Sequence, residues 1–283
     1  MAHSGNFFVI FSIPKSAGQA LASALDLGCP AAARGKRIPV SMSTKDGLHA
    51  VLPLRAEHLN DFPDGGWLHY HAPASFPTLQ ILGEFDLKYL VVVRHPADQL
   101  PAYWCHVRKH WAIEPPAPIK GHPDWIYAVP MAPHVRRYVE PSADVDEGLA
   151  HLIGDGYLFA VLQWMADWCV YRVPERSQVV RYEDYVRERR GTLKSIAQFL
   201  APAVSFDDDA FNTAERALDQ YRDGSLGWAP DWAYPRGYTG DIGIYRQYLS
   251  PKNFDAYRCV TSTFLKSYPG ADQVLELYPD LIP

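Results

Sequence analysis

The sequence has little of what marks several large protein classes. Its 283 residues include four cysteines, Cys29, Cys105, Cys169 and Cys259, with no CxxC or Cys/His pair at zinc spacing. Such usage argues against a structural metal site and for reduced thiols in a cytoplasmic protein. No apolar run reaches membrane-spanning length, and the N-terminus lacks the charged and apolar regions of a signal peptide. A basic surplus is missing too. Lys and Arg number 27 against 32 Asp and Glu, a formal net charge of −5. That balance argues against nucleic acid as a partner, so any anion site must be a local pocket. No repeat or low-complexity segment is visible. The Walker A order, Gly, four residues, then Gly-Lys-Ser/Thr, is absent as well.

What is present suits one large α/β domain. Apolar residues make up 48% and charged residues 21% of a chain long enough to bury a full core. The organising stretch is Phe7 to Leu25, FFVIFSIPKSAGQALASAL. The run Phe7 to Phe11 reads as a strand buried on both faces. Pro14, Lys15 and Ser16 make a turn that carries a cation, and Ala17 and Gly18 let a ligand approach the backbone. From Gln19 the Ala-rich segment, with Leu21 and Leu25 four apart, reads as a helix. Strand, small-residue loop with a lysine, helix: this layout turns free N–H groups and a helix dipole toward an anion, usually a phosphate.

Further along, Arg34 to Arg37 reads as a basic, irregular surface segment. Trp67 to His71, WLHYH, reads as a short strand that places His69 and His71 on one side. Leu87 to Val93 is a clear strand, and Pro96 suits the first turn of the helix after it. The segment from Cys105 to Gly148 is rich in proline and tryptophan, and it reads as irregular. Helical pattern returns at Val145 and is strongest over Tyr157 to Val170. Gln178 to Tyr182 reads as a strand, followed by one charged helix to Leu200. Residues 205 to 224 read as a solvated helix with flanks, and the chain from Pro251 as a helix and a tail.

Four of these segments together resemble the PAPS-dependent sulfotransferases of the cytosolic and bacterial type. IPKSAGQAL is similar to that family's Pro-Lys-Ser-Gly-Thr-Thr loop, with Ala17 where the family usually has Gly and Gln19 where it has Thr. HYHAP resembles its Lys-Thr-His-Leu-Pro. VVVRHPADQLPAYW resembles its Val-Arg-Asn-Pro-Lys-Asp segment, with Ala102 at the position of a serine. VVRYEDY resembles Arg-Tyr-Glu-Asp-Leu. The stretch YPRGYTGDIG, continuing to Ser250-Pro251, is a looser match to Arg-Lys-Gly and Gly-Asp-Trp, with Pro235 and Ile242 departing from it.

The resemblance implies a P-loop-NTPase-like three-layer α/β fold with a central, mainly parallel sheet flanked by helices. It implies a single domain over 1–283, with an acceptor-side insertion at about 105–148. It implies PAPS as sulfonate donor, PAP as product, and a small-molecule, carbohydrate or carrier-bound acceptor with a hydroxyl or amine. His71 stands at the position of the catalytic base and Lys15 at that of the catalytic lysine. Lys15, Ser16, Ala17, Gly18, Gln19 and Ala20 then hold the phosphosulfate. Arg94, Ala102, Arg236 and Gly237 fall at the 3′-phosphate, and Tyr182 falls at the adenine. His69, Trp104, Trp111, Trp125 and Tyr127 are candidates for the acceptor side. No metal is implied. The other class of protein these residues allow is a noncatalytic PAP-binding or scaffolding protein on the same fold.

Overall fold

The apolar run at the start of the chain forms β1 (Phe7–Ser12), the middle of a parallel sheet. The computed structural model describes residues 7–13, 15–18, 20, 21, 24, 25, 36, 37, 54, 56, 59, 66–113, 142–200, 202, 208, 209, 211–213, 215, 216 and 241–282. The chain divides into two units, Met1–Val93 with Tyr171–Gly227, and Arg94–Val170 with Trp228–Pro283. Among the described residues no helix is long and apolar enough to cross a membrane.

The first unit holds the sheet. Beside β1 lie β2 (Lys36–Arg37), β3 (Gly66–Tyr70), β4 (Lys88–Val93) and β5 (Ser177–Arg181). Their order is β2-β3-β1-β4-β5, and every pairing is parallel. The register sets Ile10 beside His69 and Leu90, and Ser12 beside Val92. Val9, Ile10 and Phe11 are all fully buried, as an unbroken apolar run in a parallel sheet requires. The helix after β1, α1, has its described residues between 18 and 25. Its Leu21, Ala24 and Leu25 pack on Phe8 and Ile10 of β1, Leu90 and Val92 of β4, and Val180 of β5.

After β3 comes α2 (Phe76–Glu84), and after β5 come α6 (Tyr182–Arg187) and α7 (Arg189–Leu200). Leu193, Ile196 and Ala197 of α7 join the same core, and so does Phe211, from the segment expected to be a solvated helix.

The second unit is helical: α3 (Pro96–Ile113), α4 (Val145–Gly154), α5 (Tyr157–Tyr171, all but its last residue) and the C-terminal helices Pro251–Ser267 and Ala271–Leu277. The short helix Tyr245–Tyr248 precedes them. The carboxylate of Asp98 accepts from the N–H groups of Gly243 at 2.7 Å and Tyr245 at 3.1 Å, fixing that turn to α3. On α4, Asp144 caps the N-terminus by accepting from Asp146 and Glu147. Tyr103 and Tyr157 stack at 4.2 Å, joining α3 to α5.

Several elements differ from those read in the sequence. Lys36 and Arg37 form a two-residue edge strand, too short to show any periodicity. Strand β3 ends at Tyr70, so His71 lies just past it. Helix α3 continues to Ile113, taking in the first nine residues of the segment expected to be irregular from Cys105 to Gly148. The charged helix expected after β5 is two helices, parted at Glu188, whose φ of −126° is not helical.

Candidate functional site

In the first unit, the carboxyl ends of β1 and β3 are neighbours, and each releases a short segment rich in chemistry. In parallel α/β sheets ligands gather at this end of the strands. After β1 the chain passes through Ile13 and Pro14 to Lys15, Ser16 and Ala17, then enters α1 at Gly18. Lys15 has φ 67° and Ala17 φ 65°, both left-handed. Each costs roughly 1–2 kcal/mol for a residue with a Cβ. Ser16 between them is not left-handed. Such alternation turns successive N–H groups toward one concavity, which is how a backbone nest binds an anion.

Ser16 ties the loop to the sheet through both its backbone and its side chain; its N–H donates to the Ile13 carbonyl at 3.3 Å. The buried Ser16 hydroxyl donates to the carbonyl of Ile13 at 2.7 Å and approaches that of Val92 at 3.3 Å. Its hydroxyl hydrogen is therefore engaged with the sheet. Leu21 N–H bonds the Ala17 carbonyl at 2.9 Å, so α1 is helical from its first turn. The N–H groups at its start lack intrahelical acceptors. Lys15 is exposed beside them. A flexible ammonium, a left-handed loop and a helix N-terminus together suit a phosphate- or sulfate-like anion.

Gly18 is required by its surroundings. A Cβ there would lie 2.5 Å from both Nε2 of His69 and Oγ of Ser12. The start of α1 thus sits directly on the pair of residues that lead to His71.

His69 and His71 do share one side, with ring centroids 4.9 Å apart and planes at 77°. Nδ1 of His71 is 2.5 Å from the carbonyl oxygen of Ser12. A carbonyl only accepts, so Nδ1 carries the hydrogen and Nε2 is left with the lone pair. Burial lowers the pKa of His71 below its ordinary 6.5, and the smaller pull of the Ser12 carbonyl works the other way. The ring is a neutral base near pH 7 with one defined basic atom, the state a general base needs.

Tyr182 also belongs to the first unit. It opens α6 directly after β5, partly exposed, one residue past the strand it was expected to end. Ala20 is partly buried on α1. In the second unit, Arg94 follows β4 and is 3% exposed, while Ala102 is buried on α3 and has no hydroxyl to offer. Trp104 is also buried; its indole lies where a Cβ on Gly148 would fall, and the Arg108 guanidinium is 4.4 Å from its ring. Those contacts give Trp104 a packing role between α3 and α4. Trp111 lies on α3. Gln19, Trp125, Tyr127, Arg236 and Gly237 lie outside the described residues. No group of three or more metal-ligating side chains occurs among the described residues.

Ser12 is the participant the sequence reading missed. Its one signal was a hydroxyl closing an otherwise apolar strand.

No family model matches the chain, and no curated protein matches it in sequence. A likeness appears at the level of structure. The crystal structure of mouse sulfotransferase SULT7A1 complexed with PAP superposes with a TM-score of 0.55, over 96% of this chain and 88% of that one, at 15% identity. At that identity the likeness is one of fold. The fold is the P-loop-like α/β arrangement expected from the sequence, a parallel sheet flanked by helices.

Proposed function

We propose that this protein is a sulfotransferase, moving a sulfonate group from PAPS to a hydroxyl or amine of an acceptor and releasing PAP. One observation carries the reading. An anion-suited loop with a lysine and a neutral histidine with a defined basic nitrogen stand at the ends of adjacent strands. Fold alone does not assign chemistry, but this pairing of groups does bear on it. The SULT7A1 structure holds PAP, which agrees with the same nucleotide here.

PAPS is the donor substrate in this reading. Its phosphosulfate lies on the N–H groups of residues 17 to 20, on the loop that Ser16 ties to β1, and the Lys15 ammonium neutralises the charge that grows on the oxygen leaving with PAP. Nε2 of His71 takes the acceptor's proton as the acceptor atom attacks sulfur in line. Arg94, with Arg236 and Gly237, holds the 3′-phosphate; a guanidinium offers two parallel donors to such a group. Tyr182 lies against the adenine. The acceptor is a small molecule, a carbohydrate or a carrier-bound hydroxyl compound, and the segment at about 105–148 shapes its pocket within a single cytoplasmic domain. The test is PAPS turnover against phenols, alcohols, sugars, amines and carrier-bound hydroxyacyl groups. The reading expects PAP release that depends on one acceptor class. Tight PAP binding with no acceptor-dependent release by any of them would instead indicate a noncatalytic nucleotide-binding protein.

A further inference from the structure

Ser12 is 1% exposed and stands between two histidines. Its Oγ lies 2.7 Å from Nε2 of His69 and 3.3 Å from Nδ1 of His71, whose hydrogen already points at the Ser12 carbonyl. Nδ1 of His71 is thus a donor to both oxygens of the same serine, the carbonyl first and the hydroxyl second. A hydroxyl has one hydrogen to give. With Nδ1 of His71 unable to accept it, the acceptor left among its partners is Nε2 of His69. The hydrogen bonds therefore run in one direction, from His71 through Ser12 to His69.

We infer that Ser12 and His69 are positioning residues for His71, a hydrogen-bonded chain that orients the imidazole and stabilises its charged form. The inference rests on the reading of His71 as the base. As the acceptor attacks, its O–H or N–H bond breaks and an N–H bond forms at Nε2 of His71. The freed electron pair stays on the acceptor atom, which bonds to sulfur, and the old S–O pair leaves with PAP. The proton remains on His71. Its Nδ1–H, now more acidic, bonds more strongly to both Ser12 oxygens, and donation to His69 makes the Ser12 hydroxyl a better acceptor. This is the work that an orienting carboxylate performs for the histidine of a hydrolase triad, done here by neutral groups. Among the described residues, β1 and α1 bring no charged side chain to the pair. The ionisable group in contact with both Ser12 and His71 is His69 on β3.

The test is a titration of the purified full chain with ring-15N-labelled histidine, which needs no acceptor. His71→Asn assigns the His71 signals and His69→Asn those of His69. The wild type should show His71 as the Nδ1–H tautomer and His69 with an unprotonated Nε2. Ser12→Ala keeps the backbone carbonyl and removes the hydroxyl. It should leave the tautomer of His71 in place and lower its pKa, because an acceptor for the charged form is gone, while Ser12→Thr should keep the wild-type value. With a working acceptor, the acid limb of the kcat profile should move the same way, with roughly a tenfold loss of kcat at the plateau. A His71 pKa unchanged in Ser12→Ala, or a His69 with a hydrogen on Nε2 in its neutral form, overturns the inference. Neither result touches the sulfotransferase reading, which stands or falls on PAPS turnover.

Discussion

The Ser12 carbonyl oxygen and Nδ1 of His71 meet at 2.5 Å, and that one contact decides which nitrogen of the ring is basic. It separates the two histidines of HYH, which alternation along the strand alone left equivalent. Nε2 of His69 faces the Ser12 hydroxyl at 2.7 Å and is engaged, whereas Nε2 of His71 is the atom left to accept a proton.

Burial of His71 in neutral form makes stability depend on pH. Its folded pKa lies below the ordinary 6.5. Between the two values the unfolded chain binds more protons, so stability rises with pH across that window. This contribution is fully present above about 6.5, declines as the pH falls, and levels off below the folded value. Thermal melts from pH 7.5 to pH 5 should show the wild type losing stability more steeply than His71→Asn. Equal slopes would mean that His71 titrates as it does in the unfolded chain.

The loop should respond in opposite directions at two adjacent positions. Gly18→Ala pushes a Cβ to 2.5 Å from Ser12 Oγ and His69 Nε2. Overpacking of that kind costs about 1–3 kcal/mol and displaces the histidines. Ala17→Gly relieves a left-handed alanine at φ 65° and should be neutral or stabilising by up to about 1 kcal/mol. Chemical denaturation of both variants checks the pair. A Gly18→Ala protein as stable as the wild type would contradict the close seating of α1 on Ser12.

Much of this site was legible because its signals are local. An apolar run, a small-residue loop and a helical Leu21–Leu25 spacing fixed β1 and α1, and alternation placed both histidines on one side. What stayed hidden depends on contacts distant in sequence. Ser12 meets its partners 57 and 59 residues away, through strand pairing that no local pattern encodes. The edge strand Lys36–Arg37 is two residues long and leaves no period to read. Trp104 was a candidate for the acceptor side as one aromatic of the Pro/Trp-rich segment; its close packing against Gly148, on a different helix, is a contact no local pattern encodes.

Arg94 is a buried cation directly after β4, and the proposed function assigns it, with Arg236, to the 3′-phosphate of the nucleotide. Calorimetry should find PAP bound in preference to AMP. Arg94→Ala should weaken PAP binding by more than the ~0–1 kcal/mol of an exposed ion pair. Equal affinity for the two nucleotides would remove the arginines from the site.

Lys15→Ala should lower turnover at saturating PAPS roughly a hundredfold while weakening PAP binding much less, since the charge it meets develops mainly in the transition state. Parallel kcat and PAP titrations separate the two effects. Normal turnover by this variant would leave the loop a structural element only.

The measurement that bears most directly on the account compares His71→Asn with His69→Asn under saturating PAPS and a working acceptor, with PAP affinity measured alongside. Asparagine keeps a polar side chain of similar reach and removes the proton-accepting nitrogen. Loss of a general base typically costs 10²–10⁴ in rate. The account predicts that His71→Asn binds PAP as the wild type does and loses nearly all transfer, while His69→Asn keeps a substantial part of it. Transfer retained by His71→Asn, or lost preferentially in His69→Asn, would contradict it.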